Sequence, residues 1–214
     1  MPGILIRAAV LLLASGACVP LGAQDSRHGT RHPRMSLTPL RPGTAADSAR
    51  ALALVRDLRS AIASYQTISA AESAGYRARR DSATVPTGRL LHVGRRQGWR
   101  SMRQGFDAAA PRSLLYRRTA DGSMRLAGAM LVAPRSATAE DLDAMVPLSV
   151  ARWHRHIGLC FARGTAPGLR VTLRQARTAE DCEEAGGWYR AETRYMIHVM
   201  TDVGDDLTAV FPHE

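Results

Sequence analysis

The chain has 214 residues, of which 29 are basic and 19 acidic, so its formal net charge is +10. Every basic residue is an arginine and none is a lysine, a bias that indicates a GC-rich genome rather than selection for phosphate contacts. Basic and aromatic side chains are not interleaved as in proteins that stack bases, so we expect no nucleic acid as a partner, whereas contact with anionic envelope components stays open.

The first 23 residues have the pattern of a secretory signal peptide. A charged start ends at Arg7, an apolar run covers residues 8–14, and small residues lead up to Ala23. The apolar run is much shorter than the roughly 20 residues that a membrane span needs. We therefore expect an exported chain, periplasmic or extracellular, that does not span the membrane. Lipid anchoring through Cys18 is the less favoured alternative, because residues 15–17 lack the usual leucine.

The rest of the chain divides into a linker and one domain. Residues 24–44 are rich in Arg, Pro, Gly, Ser and Thr, with few large apolar side chains, which predicts a disordered linker. His28 and His32 lie in this segment, and we treat them as incidental. Residues 45–214 are enough for a single domain with a core of its own.

Two cysteines remain beyond the signal peptide, Cys160 and Cys182. An exported chain with two cysteines most often joins them in a disulfide, which would stabilise the fold by about 3 kcal/mol. The competing interpretation is a Cys160 thiolate bound to a metal, which excludes the bridge. Both interpretations stay open on the sequence alone.

Helical spacing dominates the beginning of the predicted domain. Apolar residues three and four positions apart predict a helix over residues 45–64, and the pattern continues to a stop at Gly75. Residues 89–93 then have the composition of a short strand. Together they predict an N-terminal helical segment followed by the start of a sheet.

The second half of the chain has mostly strand patterns. Residues 113–118 and 124–132 predict a hairpin, because Asp121 and Gly122 form a favoured turn between two apolar runs. We predict next, in order, a helix at 136–145 starting near Thr138, a strand at 149–159, a weak strand at 169–173, a capped helix at 178–187 and a strand at 194–200. Since no regular βαβ spacing occurs, the predicted fold is α+β with a mostly antiparallel sheet and short helices.

One strand places two histidines on the same face. His154 and His156 share parity in the predicted strand 149–159, so both side chains point to one side of the sheet, as does Cys160. Such a strand presents metal ligands well, because imidazole nitrogen binds zinc and copper.

Two more predicted strands carry histidines. His198 lies between Met196 and Met200 at the same parity, and His92 lies in the short first strand. The thioether of methionine biases a site towards copper, although methionines also fill gaps in cores. We therefore predict a site for a transition-metal ion, copper or zinc, held by His154, His156 and His198, with His92 as the next ligand.

Two other functions stay open. The first is a non-catalytic envelope domain, tied by the disulfide, whose histidines are polar residues on an open sheet face and which binds no metal. The second is a metal-dependent enzyme, although the sequence shows neither a nucleophile motif nor an evident acid–base partner.

The order of these motifs resembles that of a group of uncharacterised exported bacterial proteins. The similarity covers about residues 60–212, and the motifs that carry it are Leu91-His92-Val93, the hairpin with Asp121-Gly122, the WHxH segment at residues 153–156 with Cys160, and the MxHV segment at residues 196–199. The resemblance implies no known reaction. After the histidine pair it leads us to expect an asparagine, where this chain has Gly158.

Overall fold

An antiparallel sheet forms the centre of the fold, which confirms the predicted α+β class. The computed structural model describes residues 35–78, 82–95, 106–162, 172–173 and 178–212. In these ranges the strands are Met35–Leu37 (β1), Tyr76–Ala78 (β2), Leu90–Arg95 (β3), Ser113–Arg118 (β4), Met124–Val132 (β5), His154–Ala162 (β6), Thr172–Leu173 (β7), Gly187–Glu192 (β8) and Met196–Met200 (β9). The helices there are Ala45–Ile62 (α1), Ile68–Ser73 (α2), Ala139–Met145 (α3), Ala179–Glu184 (α4) and Leu207–Val210 (α5).

The strands pair in the order β1-β6-β9-β5-β4-β3-β2, and each pair is antiparallel. The first half of β6 pairs with β1 and β9, whereas its second half pairs with β7 and β8. The pairing with β8 begins at Ile157. Gly158 follows it, and its φ of 69° lies in the left-handed region that glycine adopts most readily. β6 therefore joins the main sheet to a small ribbon made of its own second half, β7 and β8.

Helices cover one face of the main sheet. α1 begins at a capping box, in which Thr44 and Asp47 each accept a hydrogen bond from the other's backbone N–H. One core combines side chains from the helix, Ala51, Val55, Leu58 and Ile62, with strand residues Val93, Leu114, Ala129, Leu131, Ile197 and Val199. Helices α2, α3 and α5 add Ala71, Leu142 and Val210 to the same core. The apolar face of α1 thus dictates which face of each strand turns inward.

The opposite face of the sheet carries the predicted ligands. Because side chains alternate along a strand, residues between the core positions point away from α1. We call this side the histidine face; in the paired registers it comprises Met35, Leu37, Leu90, His92, Gly94, Ser113, Leu115, Arg117, Arg125, Gly128, Met130, Val132, His154, His156, Met196, His198 and Met200. It has a small apolar cluster of its own, formed by Leu115, Ala127 and Met200.

The helical pattern predicted to run to Gly75 is broken in the middle. α1 ends at Ile62, and α2 is a separate helix whose Thr67 side chain caps its start. Between the two helices, the hydroxyl of Tyr116 donates hydrogen bonds to the carbonyl oxygens of Tyr65 and Thr67. A contact from a distant strand therefore decides where the first helix ends.

The linker predicted over residues 24–44 is wrong for its last part. Met35–Leu37 is a strand paired with β6, and Thr38 continues the contact. The Thr38 N–H donates to the Trp153 carbonyl at 2.9 Å, and the Trp153 N–H donates to Thr38 Oγ1 at 3.0 Å. Pairing with β6 therefore orders this short segment, which lies between residues rich in Arg, Pro, Gly and Thr. Residues 24–34 and the predicted signal peptide lie outside the described residues.

The strand predicted over 149–159 begins later and extends further, as His154–Ala162. Before it, the N–H groups of Val150 and Ala151 both donate to the Pro147 carbonyl, which makes a turn. Trp153 packs into the core with its indole N–H donating to the Leu142 carbonyl.

The hairpin of β4 and β5 is confirmed, and so are the helix starts at Thr138 and Thr178, each with a capping box. The last strand begins at Met196, two residues later than predicted. Only residues 172–173 of the predicted weak strand are described, and they form β7.

Strands β2 and β8 and helix α5 carry no pattern that predicted them. They are short elements whose formation depends on their neighbours.

Candidate metal centre

All four histidines in the described part of the chain lie on the histidine face. His92 is on β3, His154 and His156 are on β6, and His198 is on β9. His154 and His198 are buried, with 4% and 6% of their surface exposed, while His92 and His156 are half-buried. Two of the four imidazoles are therefore buried on the sheet face that points away from the main core.

The imidazole rings follow one another in a continuous series. The ring centres of His92 and His198 are 5.1 Å apart, those of His198 and His154 are 5.3 Å apart, and those of His154 and His156 are 5.4 Å apart. We call this series the histidine row. His198 stands between His92 and His154, so it is the central member, and His156 is reached only through His154.

The row depends on a curved sheet, because β5 and β4 lie between β9 and β3. Neighbouring strands are about 4.8 Å apart, so three steps across a flat sheet would separate His198 from His92 by about 14 Å. A register shift between Leu115 and Tyr116 marks a bulge in the hairpin, and bulges bend and twist the strands that contain them. Curvature of the sheet therefore brings His198 on β9 and His92 on β3 close together.

Gly128 on β5 is part of this curvature. A Cβ atom at this position would lie 2.1 Å from the Val199 carbonyl oxygen and 3.0 Å from the Met200 Cα, so only glycine allows β9 to approach so closely. β9 is the strand that carries His198. The glycine thus fixes the path of the strand that holds the central imidazole.

The ring spacing suits imidazoles that share an ion. Two imidazoles bound to one tetrahedral zinc at a metal–nitrogen distance of about 2.0–2.1 Å have their ring centres about 5 Å apart. Each neighbouring pair in the histidine row has this separation. Nevertheless, no group of three or more His, Cys, Asp or Glu side chains within the described ranges is already arranged to hold an ion. Three-nitrogen coordination would require side-chain rotation.

Cys160 has a different role from the histidines. It forms a disulfide with Cys182, and both residues are fully buried. The bridge joins α4 to the second half of β6, beyond Gly158, and confirms the predicted pairing. Cys160 as a thiolate ligand is therefore wrong. A disulfide fits an oxidising compartment, and no helix in the described ranges is both long and apolar enough to cross a membrane.

The chain matches no protein-family model, no curated protein and no solved structure. The resemblance to uncharacterised exported bacterial proteins stays a prediction. The candidate site consequently depends on the geometry of this chain alone.

The sequence predicts all four members of the histidine row as ligands, with His92 as the last of them. In the structure the His92 ring is adjacent to that of His198. Met35 and Met130 also lie on the histidine face, and the sequence does not predict them as donors. Their parity relative to the histidines is visible only after the strand registers are known, so no local signal could have identified them.

Proposed function

We propose that this chain is an exported protein that binds a transition-metal ion, copper or zinc, through the histidine row. The observation that carries the proposal is the uninterrupted series of imidazole rings across three strands, in which each neighbouring pair has a separation compatible with a shared ion. In this proposal His198 and His154 are the central ligands, and His92 and His156 supply further nitrogen donors.

Burial supports binding rather than a solvated polar surface. His154 and His198 have almost no exposed surface, so neither imidazole belongs to a solvated polar surface. A metal ion is a strong partner for neutral imidazole nitrogen, because it binds the lone pair directly.

We propose metal binding for this protein and no catalysed reaction. No Asp or Glu occupies the histidine face in the paired registers of the described strands. Catalytic metal sites usually add a group that transfers protons. The paired registers of the described strands therefore offer no carboxylate on this face to support a metal-dependent reaction.

Export is part of the proposal and has two supports. The first 23 residues have the pattern of a signal peptide, and the Cys160–Cys182 bridge fits a compartment in which disulfides persist. In such a compartment Cys182 and Cys160 are not available as thiolates, which leaves nitrogen and thioether donors to bind a metal.

The test is metal analysis of the purified chain and of variants of its row. We expect the wild-type chain to retain close to one equivalent of copper or zinc, and a variant with His154→Ala and His156→Ala to retain none. His198→Gln, which keeps a polar side chain at a buried position, should also lose the ion. His32→Ala is the control, since His32 is outside the row.

Circular dichroism shows whether each variant is folded. A folded double variant with full metal content would overturn the proposal. A folded wild-type chain that binds neither copper nor zinc would do the same, and would favour the envelope domain without metal. In that case the disulfide would be the main device that stabilises an otherwise inert domain.

A further inference from the structure

Methionines stand directly opposite the histidines on the histidine face. In the strand registers, Met130 of β5 pairs with His198, and Met196 of β9 pairs with His154. Residues directly opposite each other on neighbouring strands project to the same side, with Cβ atoms about 4.5–5.5 Å apart. Each of the two buried imidazoles therefore has a thioether as its cross-strand neighbour.

The same relation recurs at the edge of the sheet. Met35 of β1 pairs with His156 of β6. Three of the four histidines thus have a methionine opposite them, whereas His92 pairs with Leu115. The pairing extends across β1, β6, β9 and β5, so it does not come from a local repeat in the sequence.

Filling of the core explains Met130 in part, because this residue packs against the small apolar cluster of Leu115, Ala127 and Met200. Among the described residues, Met35 and Met196 belong to none of the apolar clusters. Met35, Met130 and Met196 are only half-buried, unlike Met200, which is almost fully buried with Leu115 and Ala127. Met200 has the ordinary role of a flexible apolar side chain. These three half-buried methionines are each paired with a histidine, so their thioether sulfurs lie near imidazoles that could bind the same ion.

We propose that the ion held at this site is monovalent copper, bound by the imidazoles of His154 and His198 and the thioethers of Met196 and Met130. This inference rests on the proposed function and narrows its ion. Soft thioether sulfur selects Cu(I) over zinc, whereas imidazole binds both. The paired registers of the histidine face contain no carboxylate, the donor that harder divalent ions prefer.

The pair Met35 and His156 lies next to this donor set, at the outer side of β6. The His156 ring is 5.4 Å from that of His154, and both Met35 and His156 are only half-buried.

The experiment compares two double variants of the full chain with its disulfide intact. Met130→Leu with Met196→Leu removes the thioethers and keeps apolar side chains of similar volume. Met124→Leu with Met145→Leu is the matched control, because both of these methionines pack against the main core. Cu(I) affinity is measured anaerobically by competition with a coloured Cu(I) chelator, and zinc affinity is measured in parallel with a zinc indicator.

We expect the first double variant to lose at least about tenfold in Cu(I) affinity, the loss that removing even an outer-shell partner causes, and to keep its zinc affinity. The control should keep both affinities. X-ray absorption of the Cu(I) complex should show sulfur scattering in the wild-type chain and none in the first double variant.

Cu(I) affinity that is equal in both double variants, or a wild-type complex with nitrogen donors only, would overturn this inference. Zinc bound through the histidines in those same samples would leave the proposed function intact. A wild-type chain that binds neither ion would overturn both. X-ray absorption needs only the wild-type chain. It therefore shows whether sulfur binds Cu(I) even where a variant does not fold.

Discussion

At the scale of single residues, Tyr116 connects the helices to the sheet. Its hydroxyl donates to the carbonyl oxygens of Tyr65 at 2.6 Å and of Thr67 at 3.1 Å, at the break between α1 and α2. The Thr67 carbonyl also accepts the Ala71 N–H of α2. Burial raises the pKa of Tyr116 to about 12. The neutral, donating form is therefore the one that the fold needs.

We predict that Tyr116→Phe lowers the free energy of unfolding by about 1–1.5 kcal/mol at neutral pH, the typical worth of a lost hydrogen bond. The pH dependence provides a second readout. In the unfolded chain the phenol has its ordinary pKa of about 10, so above that pH the unfolded state loses its proton first. The contribution of Tyr116 is complete below about pH 10 and is lost as the pH rises towards about 12.

Urea unfolding at about pH 8 and about pH 11 checks this prediction, because those values lie on either side of the ordinary tyrosine pKa. The chain has no lysine, so its alkaline titration between these values comes mainly from tyrosines. The wild-type chain should lose more stability between the two conditions than the variant does. Equal losses would show that the Tyr116 hydroxyl does not stabilise the fold.

Gly158 is a residue whose role the sequence indicated only in part. The resemblance leads us to expect an asparagine there, and the structure gives Gly158 a φ of 69°. Glycine and asparagine are the residues that adopt this left-handed conformation most readily. Gly158 therefore supplies the left-handed backbone conformation between the histidine pair and the disulfide.

At the scale of elements, the contact between α4, β6 and β8 depends on Gly187. This residue begins β8, directly after the helix that carries Cys182. A Cβ atom at Gly187 would lie 2.4 Å from the Cys160 Sγ and 2.8 Å from the Cys182 Sγ. The absence of a side chain lets the strand pass against the disulfide.

We predict that Gly187→Ala destabilises the chain by about 1–3 kcal/mol, the usual cost of overpacking in a core. Gly204→Ala is the control, since a Cβ atom there meets no heavy atom within 4 Å, and it should change the stability by less than about 0.5 kcal/mol. Thermal unfolding of the two variants measures the difference. Equal midpoints would mean that the ribbon adjusts to a methyl group at no cost.

At the scale of the whole molecule, the disulfide and the histidine row belong to different parts of the sheet. The row lies on β3, β9 and the first half of β6, whereas the bridge joins α4 to the second half of β6. The change of partners along β6 occurs between His156, which pairs with β1, and Ile157, which pairs with β8. Stability and metal binding should therefore respond separately to mutation.

We predict that Cys160→Ala with Cys182→Ala lowers the free energy of unfolding by about 3 kcal/mol, the worth of a bridge that closes a loop of this length, and leaves the bound metal in place. Denaturant unfolding and elemental analysis of one preparation measure both. Loss of the metal from a variant that is still folded would contradict the separation of the two parts.

Much of the candidate site follows from short segments of the amino-acid sequence. The parity of His154 and His156, the hairpin turn at Gly122 and the cap at Thr138 all depend on residues near each other in the chain. Local hydrogen bonds and side-chain alternation determine such features, so a short segment carries the full signal. The sequence by itself thus determined which residues carry nitrogen donors and to which side of its own strand each one points.

The tertiary structure alone decided which of these donors meet. His92 reaches His198 because a bulge and Gly128 curve the sheet, and Met130 faces His198 because of one cross-strand register. Registers and curvature arise from pairing between segments far apart in the chain, where packing against α1 selects one alignment among many. No local sequence pattern predicts these registers. The contacts within the histidine row and its pairing with methionines are therefore visible only in the folded sheet.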